Sequence, residues 1–155
     1  MLNTYIKKLS ANDLNLFVEL ICLFEDVFEM KNFRLPNHNY LQSLLARDDF
    51  FVFVSILEGK VVGGLTAYLI RQYYSEKPLV YIFDLAVQTS LQRKGIGRSL
   101  IQGINSYCKE RGMEEVFVQA DVVDDYAIDF YKSTGGHPED VVHFYYPLNS
   151  NSLQG

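Results

Sequence analysis

The segment YIFDLAVQTSLQRKGIGRSL, residues 81–100, constrains the fold more than any other stretch of the chain. Its apolar run through Val87 reads as a strand, a short loop follows, and a helix opens on Gly95 and Gly97 among Arg93, Lys94 and Arg98. The first turn of a helix leaves backbone N–H groups without partners and carries the positive end of the helix dipole, so such an opening is an anion site. Two glycines let a phosphate approach the backbone closely, and Gln92 can add a hydrogen bond. The string is neither the GxGxxG dinucleotide fingerprint nor the GxxxxGK[ST] phosphate loop. The plain alternative is that the glycines relieve crowding at a helix start and the cations are solvated.

The rest of the chain supplies a frame for this segment. Tyr5 to Leu9 reads as a first strand, and Ser10 as a helix N-cap with Asp13 three residues on. Leu14, Phe17, Val18, Ile21 and Phe28 then fall at helical spacing, and Asn37 caps a short second helix carrying Leu41, Leu44 and Leu45. Apolar runs on either side of Glu58-Gly59 predict a hairpin, and Leu79 to Val87 a third strand beside it. After the glycine-opened helix, which stops at Gly112, VFVQA is a short strand, Asp125 caps a helix ended by Gly135-Gly136, and VVHFYYPL is a last strand. This order predicts an α+β or mixed α/β domain around one sheet.

With 155 residues, 48% of them apolar and 21% charged, the chain is expected to build one complete core and is too apolar to be disordered. No apolar run is long enough to span a membrane, the N-terminus lacks a secretion-signal pattern, and the cytoplasm is the expected location. A net charge of −5 argues against nucleic acid and suits a cationic partner. Cys22 and Cys108 lack metal or redox spacing and are expected to be buried, reduced and inert. No His, Cys or carboxylate set predicts a metal site.

QRKGIG, placed after YIFDLAV, resembles the [RQ]-x-x-G-x-[GA] acetyl-coenzyme A loop of the GCN5-related N-acetyltransferases. The order of elements is similar to that family from Tyr5 to Leu148, and AIDFYKSTGG resembles its A-x-x-F-Y-x-x-x-G-F helix, with Gly136 in place of the final Phe. Together, YIFDLAV, VFVQADVVDD, the AxxFY helix and VVHFYYPL look like the aminoglycoside 3-N-acetyltransferases of that superfamily. The likeness covers most of the chain from about Leu23, with the first helix following it least. It implies one domain over residues 1–155 with a frayed tail from about 149, and a mostly antiparallel twisted sheet of about six to seven strands flanked by about four helices. The fourth and fifth strands splay to form the acetyl-coenzyme A cleft.

The resemblance also implies direct transfer in a ternary complex. The pantetheine arm pairs with the backbone of Leu85, Ala86 and Val87, and the pyrophosphate rests on Gln92, Arg93, Lys94, Gly95, Ile96, Gly97 and Arg98. Asp84 matches the carboxylate that takes a proton from the amine, directly or through water, and Tyr131 the hydroxyl that protonates the departing thiolate. Val87 N–H is a candidate oxyanion donor. Asp84 can instead merely hold the ammonium or face solvent at a strand end, and Tyr131 at helical spacing with Ala127 and Phe130 can be plain core. For a polycationic acceptor, Asp121, Asp124 and Asp125 are the leading carboxylates, with Glu76, Glu25, Asp26 and Glu29 behind them, and His143 matches a family histidine. Asp125 reads equally as a helix cap. The aromatic HFYYP stretch predicts a homodimer. Other acceptors fit the same family: a polyamine, a protein N-terminus, a lysine or a metabolite amine, as does a non-catalytic acetyl-coenzyme A sensor.

Overall fold

The computed structural model describes residues 2–149, which form two compact units divided between Ala120 and Asp121. In the first, strands β1 (Thr4–Lys8), β2 (Phe50–Leu57), β3 (Lys60–Ile70), β4 (Leu79–Val87) and β5 (Glu115–Val118) form one sheet in chain order. The helices are α1 (Leu14–Val27), α2 (His38–Leu45) and α3 (Ile96–Glu110). Neighbours are antiparallel except β4 and β5, which run parallel because α3 crosses between them.

FFVFVSIL in β2 does not alternate apolar with polar, which predicts cover on both faces, and both are covered. Phe50, Val52, Val54 and Ile56 pack with Phe17, Leu20 and Phe24 of α1 and Leu41 and Leu45 of α2. On the opposite face, Phe51 and Phe53 meet the edge of Tyr107 in α3 at 5.6 and 5.7 Å. Each large side chain fully buried in this way contributes ~1.5–3 kcal/mol over leaving it in water. The β2–β3 link is the expected two-residue turn, with Glu58 and Gly59 at φ +50° and +79°. Gly64 lies so close under α1 that a Cβ there would stand 2.5 Å from Leu20 Cδ1 and 2.8 Å from the Phe53 carbonyl.

Several sequence expectations need correction. Ser10 does not cap α1: Asp13 holds that position, and its carboxylate accepts from the Ser10 N–H at 2.8 Å, bracing the turn from behind. Leu20 and Phe24 fill the core where Phe28 was expected; Phe28 sits at the helix C-cap and is exposed. Cys22 is exposed, because the α1 stripe turns it past the edge of the core, whereas Cys108 is buried. Among the described residues the sheet has five strands, and VVHFYYPL forms none. Apolar composition supplies a strand's surface but not its ladder partner, and residues 137–148 have no regular structure.

The second unit contains α4 (Asp125–Ser133). Its cap is Asp124, whose side chain accepts from Ala127 N–H at 3.0 Å, and Asp125 is the first helical residue. Gly135, at φ +98°, ends the helix as expected. The expected frayed tail falls, beyond Asn149, outside the described residues.

Candidate active site

β4 is longer than its parallel partner. The β5 ladder runs from Leu79↔Glu115 to Ile82↔Val118 and stops, while β3 accompanies β4 to Val87. From Phe83 onward the strand therefore has a neighbour on one side only, and alternate backbone groups along Leu85, Ala86 and Val87 are left on an open edge. This is the splay expected of the fourth and fifth strands.

The β3–β4 ladder carries a second irregularity. Thr66 stands opposite Asp84 and Ala67 opposite Ile82, so Phe83 is an extra residue and forms a bulge. Tyr81 lies opposite Tyr68, and Asp84 opposite Thr66, two residues earlier on β3 and on the same face. That face is the one packed by α1 and α2 further along the sheet, since Phe50 is opposite Tyr68. The Asp84 carboxylate is half-buried, and burial pushes its pKa above the ordinary carboxylate value. No hydrogen bond or ion pair to it is present among the described residues, so the carboxylate is open to accept a proton or to hold a cationic ligand. Tyr68 is raised as well, first by burial and then by the neighbouring Tyr40 hydroxyl and Asp84 carboxylate.

Past Val87 the chain makes a short 3-10 turn over Thr89–Leu91 and enters α3 through two left-handed residues, Arg93 at φ +62° and Gly95 at φ +88°. Left-handed residues alternating with ordinary ones turn successive N–H groups toward one side, a concavity suited to an anion. Gly95 is the N-cap of α3, and a Cβ there would meet nothing within 4 Å, so glycine is required by φ alone. Arg93, Lys94, Gly95 and Arg98 are exposed around this opening, while Ile96 and Gly97 are buried and offer only backbone. The Gln92 amide donates to the Val87 carbonyl at 3.2 Å, tying the loop to the end of β4. The open strand edge and the basic, N–H-lined helix start follow one another within about 15 residues, so one elongated ligand with an amide-rich arm and a diphosphate can be held by both.

Glu76 is exposed in the β3–β4 connection of the first unit. The second unit holds Asp121, Asp124, Asp125, Tyr131 and His143. All three aspartates are exposed, and the backbone N–H of Asp124 donates to the Asp121 carbonyl at 2.9 Å. Tyr131 is partly buried in α4 and stands edge-on to Phe130 at 5.0 Å. His143 stacks on Tyr145 at 6.3 Å in the irregular segment rather than in a strand. Among the described residues, no group of three or more His, Cys, Asp or Glu side chains can hold a metal ion, and no helix is long and apolar enough to cross a membrane.

Sequence reasoning missed Phe83 and Tyr68 beside Asp84. Aligning the β3 and β4 sequences from their loop would have paired Tyr68 with Tyr81, but the bulge that brings Asp84 onto the face shared by Tyr81 and Phe83 leaves no trace in the residue pattern.

The acetyltransferase (GNAT) family pattern matches residues 15–135. Among solved structures, an aminoglycoside acetyltransferase, meta-AAC0020, from an uncultured soil metagenomic sample and in complex with sisomicin, is 58% identical with a TM-score of 0.93. That match covers 94% of this chain and 97% of the other. A second aminoglycoside acetyltransferase from a soil metagenome, HMB0005, is 32% identical with a TM-score of 0.89, over 96% of this chain and 100% of that one. An uncharacterized N-acetyltransferase of Methanocaldococcus jannaschii is 29% identical over 146 residues, 92% of this chain, which spans only 65% of that relative's length. Motif, sheet topology and these matches converge on one conclusion: the chain belongs to the GNAT family of acetyltransferases.

Proposed function

We propose that the protein transfers the acetyl group of acetyl-coenzyme A to a primary amine of an aminoglycoside, at the 3-amino group of the deoxystreptamine ring, in a ternary complex. The observation that carries this reading is Asp84, a half-buried carboxylate without a partner, beside the open edge of β4. Likeness to the protein crystallised with sisomicin supports the acceptor class.

Acetyl-coenzyme A supplies the activated acetyl group, and the chain supplies its seat. The edge of Leu85, Ala86 and Val87 would hold the pantetheine arm through main-chain hydrogen bonds, and the Gln92–Arg98 loop would hold the pyrophosphate. Arg93, Lys94 and Arg98 add positive charge there. An acceptor amine is mostly protonated at neutral pH and must lose a proton to react. Asp84 is the group to take it, and burial, by raising its pKa, makes it a better base than an ordinary aspartate. Tyr131 would return a proton to the departing thiolate. Exposed Asp121, Asp124 and Asp125, with Glu76, would attract the remaining ammonium groups, and His143 would join them.

The test is thiol release from acetyl-coenzyme A with gentamicin, kanamycin, spermidine or a lysine-bearing peptide as acceptor, followed by mapping of the product. Release with gentamicin and acetylation of its 3-amino group is the expected result. Release with spermidine or peptide alone removes the aminoglycoside, and acetylation at another ring position removes the regiochemistry.

A further inference from the structure

On the Asp84 face of the sheet, aromatic rings run across four strands. Phe50 of β2 meets Tyr68 of β3 at 5.1 Å, Tyr68 meets Phe83 of β4 at 5.9 Å, Phe83 meets Tyr81 at 6.1 Å, and Tyr81 stacks on Phe117 of β5 at 4.9 Å. The ladder partners Phe50↔Tyr68, Tyr68↔Tyr81 and Tyr81↔Phe117 put the row on one face. Strict alternation would send Phe83 and Asp84 to opposite faces. The bulge cancels it, so Asp84 joins the face that Tyr81 and Phe83 already share, and Phe83 stands directly beside the carboxylate, perpendicular to both tyrosines at 89° and 87°.

The row starts in the core, with Phe50 only 5% exposed, and surfaces next to Asp84, where Tyr68 is 38% and Phe83 57% exposed. Exposed rings grouped around a carboxylate without a partner suit a ligand that brings both an apolar face and a positive charge. Ammonium and polarised C–H groups are attracted to aromatic faces, and an acidic chain of net charge −5 favours a cation over a neutral sugar.

We propose that Phe83 and Tyr68 determine acceptor specificity: they take the C–H face of a cationic aminocyclitol or amino-sugar ring while Asp84 takes its amine. The inference rests on the aminoglycoside reading above and deepens it, because it explains selection of a ring over a linear amine. A linear polyamine offers the same ammonium to Asp84 but no ring face to the aromatics.

Steady-state kinetics on the intact enzyme test it. Phe83→Leu should raise the KM for gentamicin about five- to tenfold, as expected for a lost ring contact on a partly exposed aromatic. Phe83→Tyr should restore it to within about twofold, since the ring face is kept. Tyr73→Ala, at a 98% exposed aromatic outside the row, is the control and should leave the KM as in the parent. A parental gentamicin KM in Phe83→Leu overturns the inference, as does a rise matched by an equal rise in the KM for acetyl-coenzyme A, which would mark a structural defect. A parent enzyme that acetylates spermidine or peptide but no aminoglycoside overturns the underlying reading, and the inference with it.

Discussion

Asp84→Asn should make the protein slower and more stable at the same time. The substitution keeps the shape of the side chain and removes its charge and its capacity to accept a proton. Loss of a positioned general base costs about 10²–10⁴ in turnover. The stability change has the opposite sign, for a reason the site provides. Asp84 has a pKa raised by burial and gains no hydrogen bond or ion pair among the described residues, so folding disfavours its ionised form. Below the unfolded value the group is protonated in both states and folding is unaffected by it; as pH rises through the folded value, the full cost of holding a partly desolvated charge appears. The side chain is only partly buried, so solvent screens the charge and keeps this cost small. Asparagine should therefore raise the melting temperature at pH 7.5 by no more than about 3 °C, and the gain should shrink as the pH falls toward 4. Thermal unfolding at the two pH values and a pH–rate profile of both proteins measure all of this. A variant with parental turnover would remove Asp84 as the base, and one that is inactive but less stable would show that the carboxylate had a structural partner.

Tyr131→Phe should lower turnover at saturating substrates by about tenfold or more and flatten the alkaline limb of the pH profile; an unchanged profile would return Tyr131 to the core. Gly95→Ala forces a side chain onto φ +88° with no steric neighbour to blame, so it should cost about 1 kcal/mol and raise the KM for acetyl-coenzyme A several-fold. A parental KM would detach that helix start from the donor. Gly64→Ala must displace Leu20 or the Phe53 carbonyl and should destabilise by about 1–3 kcal/mol in thermal melts, whereas Gly103→Ala, whose nearest neighbour is the Ile6 methyl at 3.3 Å, should change stability by less than about 0.5 kcal/mol. With dithionitrobenzoate at pH 8, Cys22 should react in the native protein, while Cys108, its thiol pushed up to about 11 by burial, should react only after unfolding. Two fast thiols would contradict the placement of Cys108 in the core.

What the sequence discloses and what it hides follow a physical division. β4 is legible residue for residue, as is the opening of α3, because both are local: an apolar run, a glycine that must be left-handed, a cluster of cations. The Asn37 cap and the Glu58-Gly59 turn are local too, and both stand as read. Ser10 failed as a cap by three residues and Asp125 by one: Asp124 takes the Ala127 N–H, while Asp13 sits at the cap position of α1 with its carboxylate turned back to Ser10, and sequence does not rank such neighbours. The bulge at Phe83 belongs to a pairing between two strands, so no pattern within β4 could reveal it. The same holds for VVHFYYPL, whose apolar residues announce a strand but cannot name the neighbour that would make it one.

The bulge has a consequence for how such proteins diverge. The β3–β4 ladder is continuous on either side of Phe83 and shifts by one residue across it, with Ile82 opposite Ala67 and Asp84 opposite Thr66. Deleting that one residue would close the ladder without turning Asp84 to the other face, and inserting it adds a ring without displacing a neighbour. A single in-frame codon is therefore enough to add or remove an aromatic contact beside the reactive carboxylate, so acceptor range on this scaffold can shift through insertion and deletion, a route that comparisons of aligned substitutions alone would overlook.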